Sequence, residues 1–209
     1  MALIAATPAA ADVIYNGNTY GEGDSFNIGF VGSAGDQYEG LAASLSLTLT
    51  DITAAGDYLF TYSLMNTTTD AGQALAELSG FGFNIDPDID SATATGPLDV
   101  DSGNISNGTK LEFCLTAGSN CAGGSSNGVG NGDSFDGTFT LLFGGDPGLV
   151  TITSPTVRFQ STGNGEGSAI GTPGGVPEPG TWGMMLMGFG AAGYAMRRRR
   201  RIGSIAQVA

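Results

Sequence analysis

The chain has 209 residues, 36 of them glycine, and a formal net charge of −13. That length fits one domain of ordinary size plus processing segments, and the glycine content argues against a helical bundle, because glycine costs about 1 kcal/mol per helix position. Nineteen of the twenty acids lie between Asp12 and Glu166 against only Lys110 and Arg158, so this stretch carries −17; such a body repels phosphate backbones and argues against nucleic acid as a partner.

Residues 1–11 read as the remnant of a secretory signal peptide, an apolar stretch ending with Ala9 and Ala11 at the A-x-A positions before Asp12. The basic region that opens such signals is missing. Either the true start lies upstream of Met1 or the segment is no signal, and the C-terminal features below favour the first.

From Asp12 onward, apolar residues alternate with polar ones. Phe26, Ile28 and Phe30 share a strand face; Leu45, Leu47 and Leu49 share another; Tyr58, Phe60, Tyr62 and Leu64 a third. Phe81, Phe83 and Ile85, then Leu111, Phe113 and Leu115, then Phe139, Leu141 and Phe143 follow, with Val157 and Phe159 closing the series. Successive strand side chains point to opposite faces, so the pattern predicts one buried and one wet face per strand. With Gly, Asn, Asp and Ser between the runs, it predicts an all-β domain over 12–160, an antiparallel β-sandwich or jelly roll of seven to nine strands.

Cys114 and Cys121 are the only cysteines, and there is no histidine. In an exported protein the pair reads as a disulfide pinning the base of the Gly-, Ser- and Asn-rich loop 117–132; in the cytosol it would be two free thiols. The spacing does not fit CxxC redox or zinc chemistry. Residues 161–176, rich in Gly, Thr and Pro without periodicity, read as a flexible tether.

Trp182 to Met196 contains no charge. As a helix it would span roughly 22 Å, short of a hydrocarbon core of about 30 Å. Trp182 stands where an interfacial anchor belongs, and Arg197, Arg198, Arg199, Arg200 and Arg201 where cytoplasmic retention would hold the other end. A single transmembrane helix over 182–196 is therefore expected, with 202–209 as a cytoplasmic tail.

Val176-Pro177-Glu178-Pro179-Gly180-Thr181-Trp182-Gly183, an apolar stretch and then the arginines resemble the PEP-CTERM sorting signal in its PEPxxWA form, over residues 177–201. Gly183 departs from the usual alanine. The resemblance implies recognition by an exosortase, a membrane-embedded transpeptidase-like enzyme of Gram-negative bacteria that make exopolysaccharide, with processing near Pro177-Glu178-Pro179. Those residues and Trp182 would then be an address read by another protein. The body, through Phe81-Gly-Phe-Asn, Phe113-Cys114 with Cys121-Ala-Gly-Gly, and Val157-Arg-Phe-Gln, resembles the cistern-type subgroup of these proteins.

Asp86, Asp88 and Asp90 stand at i, i+2 and i+4, as hard oxygen ligands do at the start of a calcium loop. An EF-hand register would need Gly at Ser91 and Glu at Pro97, so either a weak calcium site or a solvated acidic loop results. Tyr58 and Tyr62 share the period of the buried face and are expected in the core rather than as a sugar-stacking platform. Arg158 is expected to pair with an acid on the wet face. Without histidine no ordinary catalytic triad exists, the acids single out no carboxylate pair, and no nucleotide-binding glycine motif follows a strand. The chain thus reads as a non-enzymatic exported surface protein without a required cofactor, associated with the exopolysaccharide or biofilm matrix. A carbohydrate- or calcium-dependent binding module is the alternative.

Overall fold

The computed structural model describes residues 11–32, 39–106, 108–123, 127–165 and 167–174. The chain divides after Pro173 into two units, and only the first is described beyond its opening residue.

The body opens with a hairpin of β1 (Asp12–Tyr15) and β2 (Asn18–Tyr20). Its turn, Asn16-Gly17, has φ of +49° and +75°, the left-handed pair that a two-residue turn between twisted strands requires. An antiparallel meander of β3 (Ser25–Gly32), β4 (Ala42–Ile52) and β5 (Tyr58–Asn66) follows. The alternating apolar residues read from the sequence are buried along all three, including Tyr58 and Tyr62. The two tyrosines are core residues, as their period indicates.

A 3-10 turn at Ala71–Gln73 leads to β6 (Glu77–Asp86), β7 (Ser91–Thr95), β8 (Asp99–Ser106) and β9 (Thr109–Thr116). Then come β10 (Ser134–Leu142), β11 (Leu149–Ser161), one helical turn at Thr162–Gly165, and β12 (Gly167–Pro173). The hydrogen-bonded order is β7-β10-β5-β4-β3-β12-β11-β6-β9-β8, with β1 beside β11. All neighbours are antiparallel except β1 and β11, which run parallel from Asp12↔Leu149 to Tyr15↔Ile152.

Two expectations are corrected by this order. In place of separate sandwich layers there is one continuous sheet, curled nearly into a barrel, whose end strands β7 and β8 are consecutive in sequence. The strand that makes it continuous is β12, which lies in the segment expected to be a tether. β12 pairs with β11 at Val157↔Gly171 through Gln160↔Ser168 and with β3 at Gly171↔Gly32 through Pro173↔Phe30. The folded body therefore extends to Pro173, not 160.

The interior joins opposite parts of the curled sheet through aromatic rings. Phe139 on β10 lies 4.9 Å from Phe60 on β5 and 4.9 Å from Phe113 on β9, and within 6.2 Å of Phe81 and Phe83 on β6. Offset and tilted pairs at these separations suit the ring quadrupole and add to their burial. On the other face of β6, a Cβ at Gly80 would stand 2.3 Å from the Leu115 carbonyl oxygen, and one at Gly82 would stand 2.4 Å from that of Phe113. Glycine at both positions lets β9 approach. A second, small cluster of Ile105, Leu111, Cys114 and Cys121 sits outside the main core, with Ile170 of β12 against it.

Cys114 and Cys121 form the expected disulfide, both sulfurs buried, with Cα atoms 5.8 Å apart. The loop it pins is also tied to the sheet, because Val129 and Leu78 exchange backbone hydrogen bonds of 2.9 Å. Closing a ring of about eight residues restricts the unfolded chain by roughly 2.5 kcal/mol in the loop-entropy picture. Cys121→Ser is accordingly expected to lower unfolding stability by about that amount, read as a urea midpoint shifted to lower concentration.

Burial also pushes two phenols up, with nearby carboxylates adding to it: Tyr58, next to Asp146 and Asp12, and Tyr62, next to Asp136, each to about 12. Since the ordinary value is 10.0, the folded state holds these protons more tightly than the unfolded chain. Their contribution is complete below pH 10 and is lost as pH rises through the interval up to about 12. Tyrosinate absorbance of the folded protein at pH 11 is expected to lack these two side chains and to gain them on alkaline unfolding. Full ionisation of all tyrosines at pH 11 with the fold intact would contradict this.

Candidate functional site: the sorting tail and the grooves around Glu112

Strand β6 and strand β9 pair from Gly80↔Thr116 to Phe83↔Phe113. Beyond that point side chains continue what the ladder leaves off. Asn84 accepts from the Glu112 amide through Oδ1 at 2.9 Å. The Glu112 carboxylate accepts from the Ile85 amide at 3.0 Å and from the Ile89 amide at 3.1 Å, one oxygen for each. Glu112 thereby clamps the turn that contains Asp86-Pro87-Asp88, whose Asp86–Pro87 peptide is cis. Hydrogen bonds from backbone amides to a charged acceptor are among the stronger ones a protein makes.

Two open grooves flank this side chain. One, of about 420 Å³, is lined by Asn84, Asp88, Ser102, Gly103, Lys110 and Glu112. The other, of about 370 Å³, lies among Asp90, Ser91 and Ala92 on one side and Val100, Asp101 and Ser102 on the other, with Phe113 and Glu112 between. The first carries the carboxylates of Asp88 and Glu112 beside the Lys110 ammonium and the Leu111 side chain, and the second those of Asp90, Asp101 and Glu112 among apolar residues. With both Glu112 oxygens taken up by backbone amides, the exposed carboxylates of Asp88 and Asp90 are the acidic groups that can accept hydrogen bonds from a ligand there.

Asp86, Asp88 and Asp90 are all exposed. Asp88 borders the first groove and Asp90 the second, and the backbone amide of Asp90 donates to Leu142. Among the described residues no group of three or more His, Cys, Asp or Glu side chains is arranged to hold a metal ion. Arg158, expected on the wet face beside an acid, is half-buried and donates from its guanidinium to the Ser168 hydroxyl at 2.7 Å, linking β11 to β12.

Several of the predicted site residues lie outside the described residues: Pro177, Glu178, Pro179, Trp182, Arg197 to Arg201 and the expected span 182–196. Among the described residues no helix is long and apolar enough to cross a membrane. Three residues, Gly174, Gly175 and Val176, separate the body's last strand from Pro177.

Fold and tail together define an all-β domain followed by a processing segment. The family model of the PEP-CTERM protein-sorting motif matches residues 175–201. No curated protein and no solved structure matches the chain. The chain carries this sorting motif, which implies an exported, cell-surface-sorted protein processed by an exosortase. The likeness of the body to the cistern-type subgroup rests on its sequence alone.

Replacing Glu112 by Gln tests the clamp. An amide has one carbonyl oxygen for two backbone donors, so one half-buried N–H loses its partner, at a cost of about 1–3 kcal/mol. Reduced unfolding stability, with faster hydrogen exchange confined to Ile85 and Ile89, is the expected result.

Proposed function

We propose that this chain is a non-enzymatic surface protein, sorted by an exosortase and associated with the exopolysaccharide matrix of the cell that exports it. The observation that carries the proposal is the sorting motif at residues 175–201. Before processing, the segment 182–196 spans the inner membrane with Arg197 to Arg201 on the cytoplasmic side, because a run of arginines resists translocation. Its glycines, Gly183, Gly188, Gly190 and Gly193, make it a weak permanent anchor, which suits a signal that is later removed. The strongly acidic body stays dispersed by self-repulsion in a hydrated matrix, and its disulfide suits an oxidising compartment.

One observation favours a second reading, a carbohydrate- or calcium-dependent binding module. It is the pair of grooves around Glu112, one bordered by Asp88 and the other by Asp90 and Asp101. Calcium titration and a glycan array on the exported protein separate the two, since saturable binding lost on Asp88 and Asp90 substitution belongs only to the second.

The sorting function is tested at the tail. Changing Pro177, Glu178 and Pro179 to alanine is expected to leave membrane insertion intact and to abolish processing, because the motif is an enzyme's address. Mass spectrometry of the mature C-terminus decides. Wild-type protein that still ends at Ala209 in a strain with its exosortase would overturn the processing role.

A further inference from the structure

The sheet ends on two free edges, and the groove of about 370 Å³ lies between them. Among the described residues β7 pairs only with β10 and β8 only with β9. The outer edge of each therefore keeps backbone N–H and C=O groups that no ladder uses. Ser91 and Ala92 form one bank of the groove and Val100, Asp101 and Ser102 the other, so these edges border it. Such groups offer both donors and acceptors and carry no net charge.

The side chains add two further characters. Ile89, Ala92, Val100 and Phe113 supply apolar surface, and Ser91 and Ser102 stand exposed with their hydroxyls. Both Glu112 oxygens are held by the Ile85 and Ile89 amides, and one Asp101 oxygen by the Ser102 amide. Asp90 is left as the exposed carboxylate at the rim. Among the described residues no lysine or arginine lines this groove.

That combination separates three kinds of occupant. A polyanion would meet Asp90, Asp101 and a body of charge −17 with no cation to offset them. A peptide strand keeps about 4.8 Å from each neighbour, but the two edges start together at Gly96, Pro97 and Leu98 and part toward Ser91, so it could not pair with both. The aspartates of β8 oppose a strand as well. A sugar chain has apolar ring faces for the floor and hydroxyls that both donate and accept for the edges, and it needs no fixed ladder.

Resting on the matrix association proposed above, we infer that the groove between β7 and β8 is where this protein holds the matrix, and that its ligand is an uncharged polysaccharide chain lying along the two sheet edges. Ser102 also lines the neighbouring groove, so a chain that passes it enters the second.

The probe is the matrix polysaccharide of the exporting strain, separated by anion exchange into an uncharged and an acidic fraction. The exported protein is expected to bind the uncharged fraction saturably and the acidic one at least ten-fold more weakly. On binding, amide exchange is expected to slow in Ser91–Thr95 and Asp99–Ser106 and to stay unchanged in β4, which is paired along both edges. Ser102→Trp, at an exposed position bordering both grooves, is expected to weaken binding at least ten-fold with an unchanged urea midpoint. Should that variant lose stability, the exchange pattern of the wild type decides. Undiminished binding by a stable variant, no protection in β7 and β8, or preference for the acidic fraction would each overturn the inference while matrix association stands. Slowed exchange in these strands with an extended Val/Lys peptide, but not with the uncharged fraction, would make the groove a strand acceptor and overturn it too. Wild-type protein that binds neither fraction overturns the matrix association itself.

Discussion

The packing of Phe139 against rings from opposite parts of the sheet is the contact on which the architecture turns. A curled sheet of this length stays curled only if its inner surface is apolar and its facing strands keep a fixed separation. Phe139 meets Phe60 beside it and Phe81, Phe83 and Phe113 across the interior. Removing any one of these large rings leaves a cavity that the others cannot fill, because the neighbouring strands are bound by their ladders. The glycines of β6 belong to the same constraint. With Phe81 and Phe83 directed inward, Gly80 and Gly82 occupy the other face, and there the backbone of β9 comes too close for any Cβ.

That geometry also positions the grooves. β6 and β9 are close where glycine permits, and they separate beyond Phe83 and Phe113, where Asn84 and Glu112 take over the hydrogen bonding. The grooves open where the strands part. β7 and β8 follow one another through Gly96, Pro97 and Leu98 yet pair away from each other, β7 with β10 and β8 with β9. The second groove lies between them and is the place where the barrel fails to close.

The central strands were legible because their side chains obey a period of two with large apolar residues, as from Phe26 to Phe30 and from Tyr58 to Leu64. The strands that escaped notice lack that contrast. β7 is Ser-Ala-Thr-Ala-Thr, and β8 carries two aspartates and a glycine, as sheet ends do when they must not attract further strands. β12 was hidden for another reason. Its glycine at 171 reads as linker, but a Cβ there would stand 2.7 Å from Val157 and 3.0 Å from Phe159, so the glycine is demanded by packing. Glu112 was one acid among twenty, and its role depends on amides that reach it only through the fold. The cystine and the sorting motif needed no fold to be seen, since each is written in a local order of residues.

The parallel pairing of Asp12 with Leu149 has a consequence for the timing of assembly. The first strand of the body finds its partner only when the second-last strand is present, so the fold is dominated by contacts distant in sequence. Such topologies form slowly, and this one cannot be completed until β11 is available to pair with β1. Until then the strands between lack their final neighbours, and their apolar faces are open to other chains. The net charge of −17 between Asp12 and Glu166 sets such partly folded chains against one another by repulsion during the interval. The acidity of the body thus acts while the fold is forming as well as after it is complete.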